Sequence, residues 1–76
     1  MRVHLGGHLA YYHSQKQSWF EHRLAGEAPL SQVLKQLGIP AGEIALAIVN
    51  NEVVDLETAV VNDRDTVHFY SPMDGG

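Results

Sequence analysis

The sequence predicts an α+β roll: one sheet with one helix to cover one of its faces. Three observations point there. Leu30, Val33, Leu34 and Leu37 recur at helical spacing. Met1 to Leu5 and Thr66 to Tyr70 alternate apolar and polar residues, as half-buried strands do. Six apolar residues in a row, Ile44 to Val49, are too few for a good helix and enough for a strand. The order that follows is β-β-α-β-β-β.

Each element has a local reason. In the first strand Val3 and Leu5 share one face and Arg2 and His4 the other. Gly6-Gly7 ends it, Leu9, Tyr11 and Tyr12 make an apolar turn, and the polar stretch His13 to Gln17 is the bend of a wide hairpin. Ser18 to Leu24 is the second strand, with Phe20, His22 and Leu24 on one face. Pro29 fits the first turn of the helix, where a missing N–H costs nothing. Gly38 suits the left-handed position after its last turn, Ile39 folds back onto Leu34, and Pro40 blocks continuation. The run Ile44 to Val49 reads as a strand buried on both faces. Asn50-Asn51 is a turn pair tolerant of positive φ, and Val53-Val54 returns as a short strand. Asp55 to Val61 is a connection, Asn62 to Asp65 a second turn. In the last strand Val67 and Phe69 point inward and His68 and Tyr70 outward. The expected core is Leu34 and Leu37 with Val3, Leu5, Leu46, Ile48, Val67 and Phe69.

Size and composition exclude several classes of function. A chain of 76 residues is one domain. A closed pocket of about 300 Å³ would remove much of its core, so chemistry is expected on the surface or inside a partner. Five Lys+Arg against nine Asp+Glu give a net charge of −4, which lacks the electrostatic footprint for nucleic acid. No Lys/Arg cluster suits an anionic membrane, no apolar run approaches the roughly 18 residues of a bilayer span, and Met1 to Gly7 carries no signal-peptide core. The absence of cysteine excludes disulfides, thiolate zinc sites and a cysteine nucleophile, and cytoplasm is the expected location.

The C-terminus is the most informative stretch. Beyond Tyr70 the chain runs Ser71-Pro72-Met73-Asp74-Gly75-Gly76. Residues 1–70 are read as the folded body and residues 71–76 as a flexible tail. Pro72 holds the segment extended, and six residues reach about 20 Å. Two terminal glycines carry no side chains, so their carboxylate fits a narrow channel in another protein. An unhindered acyl carbon is also what adenylation needs.

These pieces resemble a known family. Leu34-Lys35-Gln36-Leu37-Gly38-Ile39-Pro40 looks like the helix end of the ubiquitin-like sulfur carriers of the MoaD/ThiS type. Ile48 to Val54 looks like their V-N-G-x-x-V hairpin, and Val61 to Val67 resembles their L-x-D-G-D-x-V turn. Phe69 to Gly76 resembles F-x-P-P-x-x-G-G. The resemblance covers the whole chain and is strongest from Leu30 onward. Asn51 and Arg64 stand where glycine is usual, so Arg64 is either strained or in a different turn. Asp74 stands where a small or apolar residue is usual.

The resemblance implies a β-grasp (ubiquitin-like) roll, a mixed sheet packed on one main helix. It implies no active site and no bound cofactor in the chain itself. A ubiquitin-activating-like adenylyltransferase uses MgATP to join AMP to the Gly76 carboxylate, and a sulfur donor displaces AMP to leave a thiocarboxylate. A sulfur-acceptor enzyme then takes the sulfur. The P-x-x-G-G ending and the length favour the small subunit of molybdopterin synthase, with the large subunit as acceptor. The alternatives are a thiamin-type or other-pathway carrier, and a non-catalytic β-grasp interaction module. First and last strands are neighbours in a β-grasp sheet, so Tyr70, His68, Arg2 and His4 form the expected partner face beside the tail. Trp19 and Met73 are expected to be exposed near it. The five histidines invite a metal reading, but no H-x₃₋₅-H pair carries a supporting carboxylate and closed zinc sites take four ligands. Solvated or partner-facing histidines are expected, with His22 a hydrogen-bonded structural residue.

Overall fold

The computed structural model describes residues 1–72. Among them run β1 (Arg2–Leu5), β2 (Trp19–Glu21), β3 (Ala28–Pro29), α1 (Leu30–Leu37), β4 (Leu46–Val49), β5 (Glu52–Val54), β6 (Val60–Val61) and β7 (Thr66–Tyr70). Short 3₁₀ turns occupy Gly7–Tyr12 and Ala41–Glu43. Five strands form one mixed sheet in the order β2-β1-β7-β4-β5, and β3 pairs with β6 in a two-stranded ladder. β1 and β7 run parallel, while the β1–β2, β7–β4 and β4–β5 pairs are antiparallel. This is the mixed sheet on one main helix expected of a β-grasp roll.

The helix buries Leu30, Val33 and Leu34. They meet Val3, Leu5, Ala47, Val67 and Phe69 from the sheet, with Leu9, Ile39 and Val61 closing the sides. Full burial of each Leu or Phe side chain is worth about 1.5–3 kcal/mol, so this cluster is the main source of stability. The helix stops as its sequence indicates. Gly38 takes φ 75°, a left-handed conformation that glycine adopts without steric cost. The Gly38 N–H donates to the Lys35 carbonyl at 3.1 Å and the Ile39 N–H to the Leu34 carbonyl at 3.0 Å, which satisfies two end carbonyls and buries Ile39. Pro29 sits one residue earlier than its place in the first turn. It is the extended residue before the helix and ends β3, and the Leu30 N–H donates back to the Ala59 carbonyl at 2.9 Å.

Four further expectations need correction. Ile44 to Val49 is not buried on both faces: Ala47 is 2% exposed but Leu46 is 38% exposed. One helix covers one face, so Leu46 and Ile48 leave the expected core and lie on the outer side of the sheet. Leu37 is half-buried at the edge of the core. The second strand is Trp19–Glu21, shorter than Ser18 to Leu24: its partner β1 begins at Arg2, the His22 N–H donates to the Met1 carbonyl at 2.8 Å, and the Leu24 N–H donates to an Asp63 carboxylate oxygen at 2.9 Å instead of to a strand. The connection from Asp55 to Val61 contains β6, which pairs with β3.

The two tight turns are bolted together. Asn50 and Asn51 adopt φ 50° and 72° between β4 and β5. The Asn50 side chain donates to Asp65 at 2.8 Å and accepts from the Thr66 N–H at 3.0 Å. Arg64 is not among the positive-φ residues. Its N–H donates to the Asn62 side-chain oxygen at 2.8 Å, and the Asn62 N–H donates to Asp65 at 2.8 Å. Side-chain acceptors close this turn, so no left-handed residue is needed.

At the start of β1 the Met1 ammonium lies 3.1 Å from Asp63 and 3.5 Å from Glu21. The Leu24 N–H above all, and then this ammonium, hold the Asp63 carboxyl below its ordinary pKa. His22 bonds Gln36 of α1 at 2.8 Å, a structural role as expected.

Candidate functional site

Strand alternation sends Val3, Leu5, Val67 and Phe69 inward and leaves Arg2, His4, His68 and Tyr70 on the opposite face. The β1–β7 register sets His4 beside His68. Trp19 faces His4 across β2, while Ile48 faces both His68 and Val53. Trp19, His4, His68, Ile48 and Val53 therefore form one row across all five strands. Leu46 lies opposite Tyr70 in the next row.

The rings along that row are in contact. His4 and Trp19 centroids are 4.7 Å apart, His4 and His68 5.2 Å, and Trp19 meets His68 edge-on at 5.3 Å. The His68 and Tyr70 rings are nearly parallel, with centroids 6.2 Å apart, and the Tyr70 hydroxyl lies 3.4 Å from His68 Nδ1. The Arg2 guanidinium lies 4.9 Å from the Trp19 ring centroid, within cation–π range. Trp19 is 42% exposed and Val53 69%. The result is a partly solvated band of aromatic, imidazole and aliphatic groups with one cation at its edge. Such side chains suit a protein partner, which can cover apolar rings and still hydrogen-bond their polar atoms.

The band ends where the chain leaves the body. The Ala45 N–H donates to the Tyr70 carbonyl at 2.8 Å. Ser71 is then buried and Pro72 exposed. Met73, Asp74, Gly75 and Gly76 lie outside the described residues. Among the described residues no three His, Asp or Glu side chains converge as a metal ligand set, and no helix is long and apolar enough to cross a membrane. A half-open cleft of about 660 Å³ between α1 and the β4–β5 hairpin reaches the band at Leu46 and Val53, and another of about 310 Å³ lies beside β2 and the end of α1.

The four residues expected on the partner face, Arg2, His4, His68 and Tyr70, lie together. Sequence reasoning missed Leu46 and Ile48 there, because an unbroken apolar run does not say which side is covered. Trp19 was expected to be exposed, and pairing with His4 puts it at the end of the row.

Residues 10–76 match the ThiS family, a span that leaves out only the first nine residues and runs through the Gly-Gly end. The chain belongs to the ThiS family. No curated protein matches it significantly. Membership makes it a sulfur-carrier protein with a ubiquitin-like fold. ThiS-family carriers work with an activating enzyme and a sulfur-acceptor enzyme. β1, which supplies Arg2 and His4, precedes the matched span and enters the sheet as the neighbour of β7.

Proposed function

We propose that the Gly76 carboxylate is the working group of this carrier, and that it serves molybdopterin biosynthesis. The observation that carries the reading is the ThiS-family match that extends through Gly75 and Gly76. A carboxylate oxygen of Gly76 attacks the α-phosphorus of ATP in a ubiquitin-activating-like partner, and pyrophosphate leaves. A hydrosulfide equivalent then adds to the acyl carbon and AMP departs, leaving the thiocarboxylate. That sulfur attacks an electrophilic carbon of the precursor held by a molybdopterin synthase large subunit, forming a thioester, and water then cleaves the acyl–sulfur bond, leaving the sulfur on the precursor and restoring the Gly76 carboxylate. The glycines suit this chemistry because they carry no side chain beside the acyl carbon, and Pro72, Met73, Asp74 and Gly75 link it in sequence to the folded body. The need for ATP is met in the cytoplasm, where we place the protein.

Tyr70, His68, Arg2 and His4 are the proposed docking residues. Ordering a tail costs entropy, so specificity has to come from the body, and this band is the surface nearest the tail root. Incubation with an activating enzyme, MgATP and sulfide should raise the mass by the difference between one sulfur and one oxygen. An unchanged mass overturns the carrier chemistry and leaves a non-catalytic interaction module. Presenting the thiocarboxylate to acceptor enzymes separates pathways: conversion of a molybdopterin precursor supports this reading, and consumption only by a thiazole-forming acceptor makes it a thiamin-type carrier.

A further inference from the structure

Three segments far apart in sequence meet at the root of the tail. Ser71 is 3% exposed, and its hydroxyl lies 3.3 Å from His8 Nδ1. The other ring nitrogen, His8 Nε2, lies 3.3 Å from a Glu43 carboxylate oxygen. One neutral tautomer satisfies both contacts: the Ser71 O–H donates to Nδ1, and Nε2–H donates to Glu43. His8 sits on the 3₁₀ turn after β1, where Gly7 takes φ 59° and the Gly6 N–H donates to the Phe69 carbonyl at 2.8 Å. Glu43 closes the 3₁₀ turn after α1. Neither of the two clefts is lined by His8, Glu43 or Ser71, so among the described residues the three groups contact one another rather than a cleft.

We propose that His8 is a positioning residue for the carrier reaction, clasping Ser71 to Glu43 so that the chain leaves the body from one fixed point. The inference rests on the carrier reading. Residues 73–76 extend at most about 14 Å beyond Pro72. A fixed origin therefore bounds the space in which the terminal carboxylate is found, and reacting groups must be held close to attack geometry for adenylation to proceed. If the origin swings, partner docking is unchanged but fewer encounters place the carboxylate correctly.

The test compares wild type, His8→Ala, His8→Gln and Ser71→Ala. The Gln amide presents an acceptor and a donor spaced much like the two ring nitrogens, and it does not titrate. Nitrogen-15 relaxation should show the Ser71 amide order parameter falling from about 0.85 towards 0.6 in His8→Ala, with recovery in His8→Gln. With the activating enzyme, the kcat for adenylation should fall about tenfold in His8→Ala with KM little changed, and His8→Gln should restore it. A merely structural loss would move the melting temperature and not be split this way. Should His8→Ala fail to fold, Ser71→Ala makes the same two measurements. An unchanged Ser71 order parameter, or a loosened Ser71 with wild-type kcat, overturns the proposal. If wild type itself is never adenylated, the carrier reading fails, and the positioning role falls with it while the relaxation data still report the clasp.

Discussion

The two faces of one sheet divide the labour of this small domain. On the inner face Val3, Leu5, Val67 and Phe69 are each at most 1% exposed and share one core cluster with Leu30, Val33 and Leu34 of the helix. On the outer face of the same strands Arg2, His4, His68 and Tyr70 remain in reach of solvent, with Trp19, Leu46 and Ile48 beside them. Neighbours such as Phe69 and Tyr70 therefore answer to different demands. The inner residues must fill a core that a chain of 76 residues can build only once. The outer residues are not needed to close that core, so their chemistry is free to serve a partner.

Removing the end of the chain sharpens the comparison most, because it spares both faces. Deletion of Gly76 should abolish adenylation while the melting curve stays that of wild type, since the core cluster among the described residues reaches no further than Phe69. An activating enzyme that accepts the truncated chain at the wild-type rate would sink the carrier chemistry.

The next two substitutions set the faces against each other. Phe69→Ala should cost about 3–5 kcal/mol of stability, and Leu34→Ala about 2–5 kcal/mol, both read from denaturant unfolding. Values under about 1 kcal/mol, the range of surface changes, would break the assignment of the inner face. Tyr70→Ala should cost little stability and about 1–2 kcal/mol of partner binding, measured by calorimetry against the activating enzyme and the acceptor. Wild-type affinity for both would move the docking surface off this face.

The smallest effect belongs to the edge of the fold. The folded state holds the Asp63 carboxyl below its unfolded pKa, chiefly through the Leu24 N–H and then the Met1 ammonium. Its contribution is complete above the unfolded value of about 3.9 and is lost as the pH falls through the lower folded value. The stability gap between wild type and Asp63→Asn should accordingly be flat near neutral pH and shrink below about pH 4. A gap that persists unchanged into stronger acid would remove Asp63 from the acid response. This surface carboxylate bonds the Met1 ammonium and the Leu24 N–H, away from the proposed docking residues, so partner affinity should not follow it.

Local physics was legible in the sequence. The helix from Leu30 to Leu37, its stop at Gly38, the Asn50-Asn51 turn and the alternation of β7 each depend on residues close together in the chain. Period, cap and turn chemistry are written at that range, and so is the Gly-Gly ending. Tertiary structure alone decided which side of Ile44 to Val49 is covered, because a run with no alternation names no face until one helix occupies one side. It also decided the two-residue pairing of β3 with β6 and the end of β2 at Glu21, where its partner β1 begins. Ser71 and His8 are 63 residues apart in the chain. No periodicity links a hydroxyl and an imidazole at that distance; they meet because parallel pairing of β1 with β7 brings the ends of both strands to the same edge of the domain.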